Sequence, residues 1–259
     1  MVLTITEDDL SPCQLEDGKT MIITLTNSGY LLYTLNMLKS LSPYGWDKKI
    51  FVICMDSKAY DVLCQRGYHV YNLQKETMGR FFEWNTVGYE EICYWKLASI
   101  YHLLSMEKNV ILVDGDVVFR KDPVVDWRQW WSDPTHDVWI QNDSQKDSDT
   151  TNLCTGYTMI RSTPELRQVY DCVSEEGRKK YSQCVFDNND QTYFNRFVKP
   201  YCHVRALPLK QYPNGKMYLE NESSVQNTAV LVHFNWIKGN MKLVTMKRRG
   251  MWLLEPDEE

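Results

Sequence analysis

Apolar runs alternate with amphipathic segments along the first half of the chain. Residues 21–26, 49–55 and 69–73 are short runs rich in branched and aromatic side chains, and such runs predict strands. Residues 30–41 and 57–65 instead repeat apolar positions every three or four places, which predicts helices that pack by one face. This alternation is typical of an α/β protein with a mostly parallel central sheet flanked by helices.

The most informative stretch follows a helix predicted at residues 90–105. An apolar strand ends there at Asp114, and Asp116 stands two places further on. Two neighbouring carboxylates repel each other, and a divalent cation between them relieves the repulsion. Ligands of parallel sheets bind beyond the carboxyl ends of the strands, and the turn at residues 24–30 ends at the same edge. We therefore expect a metal-dependent enzyme that acts on a phosphorylated substrate.

The second half of the chain is less regular. Residues 157–161 predict a strand, followed by a helix that begins near Pro164. Residues 141–151 form a polar loop, and residues 188–191 precede another predicted helix. Residues 229–234 predict a strand that contains a histidine near its end. This histidine is the candidate imidazole ligand of the second half.

Composition and charge narrow the class of partner. The chain has 259 residues, 43% of them hydrophobic, which suits one large domain, and its net charge of −5 argues against a nucleic-acid partner. Residues 1–20 are acidic and polar, unlike a signal peptide, and no apolar run approaches the roughly 20 residues that cross a bilayer. Eight cysteines without CxxC spacing suit reduced core thiols. We expect a soluble, cytoplasmic protein, either bacterial or virus-encoded.

Four motifs in a fixed order carry a family resemblance. They are Asp114-Gly115-Asp116, the run from Thr155 to Ser162, the pair Asp190-Gln191, and the run from His233 to Gly239. Together they resemble the nucleotide-diphospho-sugar glycosyltransferases of the Rossmann-like GT-A fold. The likeness is greatest to the plant-type xylosyl- and galactosyltransferases and more distant to glycogenin, and it covers residues 21–252.

The resemblance implies a set of metal ligands. Asp114, Asp116 and His233 match the family positions that hold Mn²⁺ or Mg²⁺ against the diphosphate of a sugar nucleotide. Oxygen ligands with one imidazole suit Mn²⁺, and such an ion offsets the charge that grows on the departing diphosphate. A UDP-sugar is the preferred donor, and the acceptor is expected to be a glycan or glycoprotein.

The resemblance also implies donor-binding residues. Thr26, Asn27 and Tyr30 match positions near the base and ribose, although the family's acidic residue is replaced here by Asn27. Gly115 lies between the two metal-binding carboxylates. Lys96 matches a basic residue that meets the nucleotide; the alternative for Lys96 is a surface lysine on an amphipathic helix.

In the family that the chain resembles, a lysine-bearing loop closes over the diphosphate. Gly239 and Lys242 match this loop, although the spacing from the histidine to the glycine is three residues longer than in the family. Lys242 is the preferred phosphate-binding lysine because of its spacing to Gly239, and Lys238 is the alternative. The Gly239-Asn240 pair permits a tight turn that brings amides to phosphate oxygens.

The stereochemical outcome rests on Asp190 and Gln191, the candidate catalytic pair. They match a pair near the sugar in retaining relatives, and the alternative is that this segment only caps the following helix. An inverting enzyme would need a carboxylate base, and Asp187 or Asp190 could serve. Cys154 stands where relatives often carry Asn, which weakens inference about the sugar.

Acceptor contacts are expected from the polar loop at residues 141–151 and from aromatic rings, since rings stack on sugar faces. The candidate rings are Trp127, Trp130, Trp131 and Trp236.

The domain layout predicted from these motifs is a single catalytic domain over residues 1–259. Residues 1–20 form an N-terminal extension, residues 21–119 the nucleotide-binding half, and residues 120–255 the acceptor-side half with the C-terminal metal-ligand loop.

Two other functional classes stay open. Asp114 and Asp116 also fit a haloacid-dehalogenase-like phosphatase, with the first as nucleophile and the second as acid and base. The other is a non-catalytic module that binds sugar or metal.

Overall fold

A computed structural model of the chain describes residues 3–184 and 189–258. The strands are β1 (Thr20–Thr26), β2 (Ile50–Cys54), β3 (His69–Asn72), β4 (Asn109–Val113), β5 (Val117–Phe119), β6 (Val138–Asn142), β7 (Leu153–Ile160), β8 (Val204–Leu207) and β9 (Leu231–His233). The helices are α1 (Glu7–Leu10), α2 (Leu31–Leu41), α3 (Ser57–Gln65), α4 (Val87–Ser105), α5 (Val124–Ser132), α6 (Pro164–Val169), α7 (Glu175–Ser182), α8 (Asp190–Tyr193), α9 (Gly215–Val225) and α10 (Asn240–Arg248).

Seven of these strands form one central sheet in the order β3-β2-β1-β4-β7-β6-β8. β7 runs antiparallel to both of its neighbours, and the other pairings are parallel. Strands from both halves of the chain therefore belong to the same sheet. β5 and β9 form a separate antiparallel pair.

Helices cover both faces of the sheet because the central strands are apolar on both sides. On β4, Val110 and Leu112 pack into one core cluster, while Ile111 and Val113 pack into another on the opposite face. The first cluster contains the buried face of α4, and the second contains that of α2. The predicted α/β architecture of helix, sheet and helix layers is confirmed.

The element predictions hold best in the first half of the chain. Helix α4 begins at Val87 rather than at residue 90, because the Thr86 side chain caps it by accepting from the Tyr89 amide. In the second half, β6, β8 and α9 were not predicted. Residues Gln141 and Asn142, expected in a loop, belong to β6.

The tryptophans of α5 correct one expectation. Trp127 is 1% exposed and Trp130 is 8% exposed, and Trp131 packs against the same core cluster. Trp127 also donates its indole N–H to the buried Tyr157 hydroxyl at 2.8 Å. The prediction that Trp127 and Trp130 contact an acceptor is wrong, because both rings are buried in the core. Trp131 is partly buried and lies outside the cleft lining.

Two further findings bear on the remaining expectations. Each of the eight cysteines carries a free thiol, and six of them are buried. Within residues 3–184 and 189–258, no helix is both long enough and apolar enough to cross a membrane.

Candidate active site

The predicted site residues gather in one cleft at the carboxyl edge of the sheet. β1 and β4 are parallel neighbours, so Asn27 after β1 and Asp114 after β4 emerge side by side. The cleft has a volume of about 570 Å³. Its lining includes Thr26, Asn27, Tyr30, Lys96, Asp114, Gly115, Asp116, Asp190, Gln191, His233, Lys238, Gly239 and Lys242.

The β5–β9 pair brings the histidine to the two carboxylates. Val117 pairs with His233, so the imidazole lies beside Asp116, and the Phe234 amide donates to the Asp116 carbonyl at 3.0 Å. His233 Nε2 lies 3.2 Å from Asp116 Oδ1 and 3.9 Å from Asp114 Oδ2. The candidate ligand atoms of the three residues lie within 4.8 Å of one another, close enough to bind a common metal ion.

Gln141 sets which nitrogen of His233 faces the carboxylates. Its amide nitrogen donates to the Tyr212 and Pro213 carbonyls, both at 3.1 Å, so its oxygen must face the ring. That oxygen lies 2.7 Å from His233 Nδ1 and accepts the Nδ1 proton. Nε2 is therefore the nitrogen that faces the carboxylates, and its N–H donates to Asp116 Oδ1 at 3.2 Å. Burial lowers the pKa of His233, but the Asp116 carboxylate outweighs burial and raises it well above its usual value, so a bound metal ion would take the place of the Nε2 proton.

Gly156 leaves the space that the imidazole occupies. A Cβ at this position would lie 2.1 Å from His233 Cε1 and 2.8 Å from each ring nitrogen. Gly156 lies within β7, and its carbonyl accepts from the Asp114 amide at 2.8 Å. A side chain at position 156 is therefore incompatible with this placement of His233.

Asp116 stays ionised although it is buried. Burial alone would raise its pKa, but the Lys242 ammonium and His233 together hold the pKa well below its usual value. Lys242 forms an ion pair with Asp116 and donates to the Tyr30 hydroxyl at 2.9 Å. Burial, followed by the charges of Asp116 and Asp114, raises the pKa of Tyr30 well above its usual value, so Tyr30 is neutral.

Lys96 connects the carboxylate pair to Asp190. Its side chain is 9% exposed, and its ammonium lies 2.7 Å from both Asp114 Oδ1 and Asp190 Oδ2. Burial lowers the pKa of Lys96, but the two carboxylates reverse this and raise it above its usual value. The Thr155 hydroxyl also donates to Asp190. The alternative of a surface lysine is wrong, because Lys96 is a buried cation between two anions.

Comparison with known proteins now decides the family. A model of the nucleotide-diphospho-sugar transferase family matches residues 46–246, an interval that contains Asp114, Asp116 and His233. The chain belongs to this family. The predicted resemblance is confirmed.

Two curated relatives of the chain are named for their activities. A UDP-galactose:fucoside alpha-3-galactosyltransferase of Dictyostelium discoideum is 24% identical, over 92% of this chain and 43% of its own length. A UDP-D-xylose:L-fucose alpha-1,3-D-xylosyltransferase of Arabidopsis thaliana is 23% identical, over 92% of this chain and 67% of its own length. The chain thus spans less than half of the first relative.

Solved structures support the fold. A galactosyltransferase determined with donor and acceptor sugar analogues superposes with a TM-score of 0.56 at 12% identity, covering 92% of this chain and 98% of the other. A glycosyltransferase involved in glycosylation of the major capsid of PBCV-1 gives a TM-score of 0.53 at 13% identity, covering 89% and 99%. The predicted GT-A fold is confirmed.

The Asn27 side chain is hydrogen-bonded to neighbouring backbone groups of the chain. Its amide nitrogen donates to the Met78 and Arg80 carbonyls at 2.8 and 2.9 Å, and its oxygen accepts from the Tyr30 amide at 2.9 Å. Asn27 therefore anchors the segment around Arg80 to the start of α2. Both of its amide protons are used, so a donor contact would have to use its remaining oxygen lone pair.

The two candidate phosphate lysines occupy different places. Lys242, on the first turn of α10, has a side chain that is 13% exposed and faces Asp116. Lys238 is exposed, and its ammonium lies 4.6 Å from the centre of the Trp84 ring at the rim. Gly239 between them has a φ of +53°, which favours glycine. This geometry favours Lys242 as the lysine nearer the metal ligands.

Two predicted residues, Trp236 and Asp187, are still to be placed. Trp236 lines the cleft and is 56% exposed, whereas Asp187 lies outside the described residues. Sequence reasoning missed Gln141, Asp143 and the spatial role of Gly156. Asp143 follows β6 as Asp114 follows β4, so a prediction of β6 would have found it.

Proposed function

We propose that this transferase is a divalent-metal-dependent glycosyltransferase that moves a sugar from a nucleotide-diphosphate donor to a glycan or glycoprotein. The observation that carries the proposal is the convergence of two carboxylates and one oriented imidazole in a cleft that also contains the buried Lys96 and the partly buried Lys242. Residues 21–119 would bind the nucleotide, and residues 120–255 would supply the acceptor side.

The three candidate ligands fit Mn²⁺ or Mg²⁺. Carboxylate oxygens suit both ions, and one neutral imidazole suits Mn²⁺ better. Asp116 is ionised, and a bound ion would displace the proton that His233 Nε2 donates to it. When bound, the ion would supply charge that stabilises the departing nucleotide diphosphate.

The lysines would add to this stabilisation of the leaving group. Lys242 is held inside the cleft between Asp116 and the Tyr30 hydroxyl, where a diphosphate beside the metal ligands would come within its reach. Lys238 at the rim would contribute a second charge. Electrostatic groups that are fixed before the reaction are the usual main source of such catalysis.

A UDP-sugar is the donor that we propose. Both curated relatives are named for a UDP-sugar donor, which is UDP-galactose in one and UDP-xylose in the other. UDP-galactose and UDP-xylose are therefore the first donors to test.

Retention of configuration is the stereochemistry that the charges support. Burial raises the pKa of Asp190, but Lys96 and the Thr155 hydroxyl outweigh it and hold the pKa below its ordinary value. A carboxylate so stabilised as an anion is a weak base for an acceptor hydroxyl. We therefore favour attack on the same face that the phosphate leaves, with Asp190 and Gln191 beside the sugar.

The phosphatase alternative loses support from the family match. The nucleotide-diphospho-sugar transferase family model covers residues 46–246, which include both Asp114 and Asp116. The non-catalytic alternative would be favoured by a missing ligand, but all three candidate ligands are in place.

The test is nucleotide release from a panel of UDP- and GDP-sugars with Mn²⁺, Mg²⁺ or EDTA. Wild type, Asp116→Ala and the control Asp149→Ala are compared, because Asp149 is an exposed acid outside the cleft lining. We expect one donor to release nucleotide only with metal, and only when Asp116 is present. Metal-independent release, or equal loss in both variants, would contradict the proposal. The anomeric configuration of the product, measured by NMR, decides between retention and inversion.

A further inference from the structure

Asp143 is a carboxylate in the cleft wall, one residue beyond β6, and it is 9% exposed. Its Oδ1 accepts from Asn235 Nδ2 at 2.8 Å and from Trp236 Nε1 at 2.9 Å. Its Oδ2 accepts from Gln191 Nε2 at 3.0 Å and from Asn152 Nδ2 at 3.3 Å. Within the described part of the chain, no lysine, arginine or histidine nitrogen lies within ion-pair distance of it. Four neutral donors therefore surround the carboxyl group.

The four donors come from three separate segments that meet at the cleft. Asn152 precedes β7, Gln191 lies in α8, and Asn235 and Trp236 follow β9. A carboxylate has about four lone-pair sites, and all of them are occupied here. Asp143 thus has no free acceptor site for a sugar hydroxyl. It can affect the reaction only through the side chains that it holds in place.

Asp143 fixes the orientation of the Gln191 side-chain amide. Both protons on Gln191 Nε2 are used, one by Asp143 Oδ2 and the other by Asn152 Oδ1 at 2.9 Å. Because Asp143 can only accept, the nitrogen of the Gln191 amide must face it. The Gln191 oxygen is the remaining end, and it is the atom left for a ligand in the cleft.

We propose that Asp143 is a positioning residue that keeps the Gln191 oxygen turned to the transferred sugar, where it accepts a hydrogen bond from a sugar hydroxyl. This inference rests on the proposed function. A carboxamide at position 143 would keep the size of the side chain but place an N–H₂ among donors. That N–H₂ would face Gln191 rather than Trp236, because an indole can only donate whereas the Gln191 amide can turn over to accept.

The test compares Asp143→Asn, Gln191→Ala and the double variant, with Asp61→Asn as control. Asp61 is an exposed acid in α3, outside the cleft lining. We measure kcat and donor KM for metal-dependent nucleotide release, together with Tm. Asp143→Asn should lower kcat about tenfold or more, and residues that act as a unit should be strongly non-additive. The double variant should therefore be no slower than the slower single variant.

The outcomes distinguish failure of the positioning role of Asp143 from failure of the proposed glycosyltransferase function. If the effects of Asp143→Asn and Gln191→Ala multiply, or if Asp143→Asn matches the Asp61→Asn control, the positioning role is overturned. If Asp143→Asn does not fold, Asn152→Ala removes the other acceptor of the Gln191 amide and should lower kcat in the same direction; an unchanged kcat overturns the role. If wild type neither binds nor cleaves any nucleotide sugar, the proposed function itself fails, and the inference fails with it.

Discussion

Gly156→Ala tests whether the space left for His233 forms the proposed metal site. The added Cβ would lie 2.1 Å from His233 Cε1, so the ring must move by roughly 1.3 Å to reach an ordinary contact of 3.4 Å. β7 lies between β4 and β6 within the sheet and cannot easily yield. The imidazole therefore moves, and it loses its alignment with Asp116 and Gln141.

The expected loss follows from the size of this displacement. A misplacement of about 1 Å at a reacting centre can cost on the order of 100-fold in rate, which corresponds to about 2.7 kcal/mol of transition-state stabilisation. Overpacking should also lower the free energy of unfolding by about 1–3 kcal/mol. Activity should fall much further than this loss of stability explains.

The assay pairs Mn²⁺ affinity with metal-dependent nucleotide release, both per folded molecule. Gly177→Ala is the matched control, because Gly177 lies in α7, outside the cleft lining, and its added Cβ would lie 1.9 Å from the Asp171 carbonyl oxygen. We expect the control to lose stability while it keeps its Mn²⁺ affinity. Wild-type Mn²⁺ affinity and rate in Gly156→Ala would refute the reasoning.

Four further substitutions test the electrostatics of the cleft. Gln141→Leu removes the acceptor that orients His233 and should weaken Mn²⁺ binding about 10- to 100-fold by calorimetry; unchanged affinity would contradict that role. Lys242→Met should raise the donor KM by about 10-fold or more, the loss of a charged hydrogen bond, and Lys238→Met should raise it less; the reverse order would exchange their roles. The lowered pKa of Asp190 contributes stability above about pH 4 that is lost as pH falls. In urea titrations from pH 6 to 3, Asp190→Asn should therefore show a shallower acid loss than wild type, and parallel profiles would argue against the ion pair.

The carboxylates could be predicted from sequence because their signal is local. An apolar strand before Asp114 and Asp116 indicates both the position and the chemistry. The helices and parallel strands of the first half also have regular apolar periods. These features need only neighbouring residues, so pattern reasoning finds them.

The parts that were missed depend on contacts between distant segments. β5 and β9 have three residues each, and nothing local shows that Val117 pairs with His233. The α5 tryptophans were placed wrongly because an aromatic ring suits both a core and a sugar site. Asp143 was missed because β6 was not predicted, and its four donors come from three later segments.

A crystal grown with Mn²⁺ and UDP tests the central claim most directly, through the anomalous difference map at the manganese edge. We predict one strong peak bound by Asp114, Asp116 and His233 Nε2, with the diphosphate on its open side and Lys242 turned to a phosphate oxygen. A peak elsewhere, or UDP bound without metal between those three residues, would contradict the account.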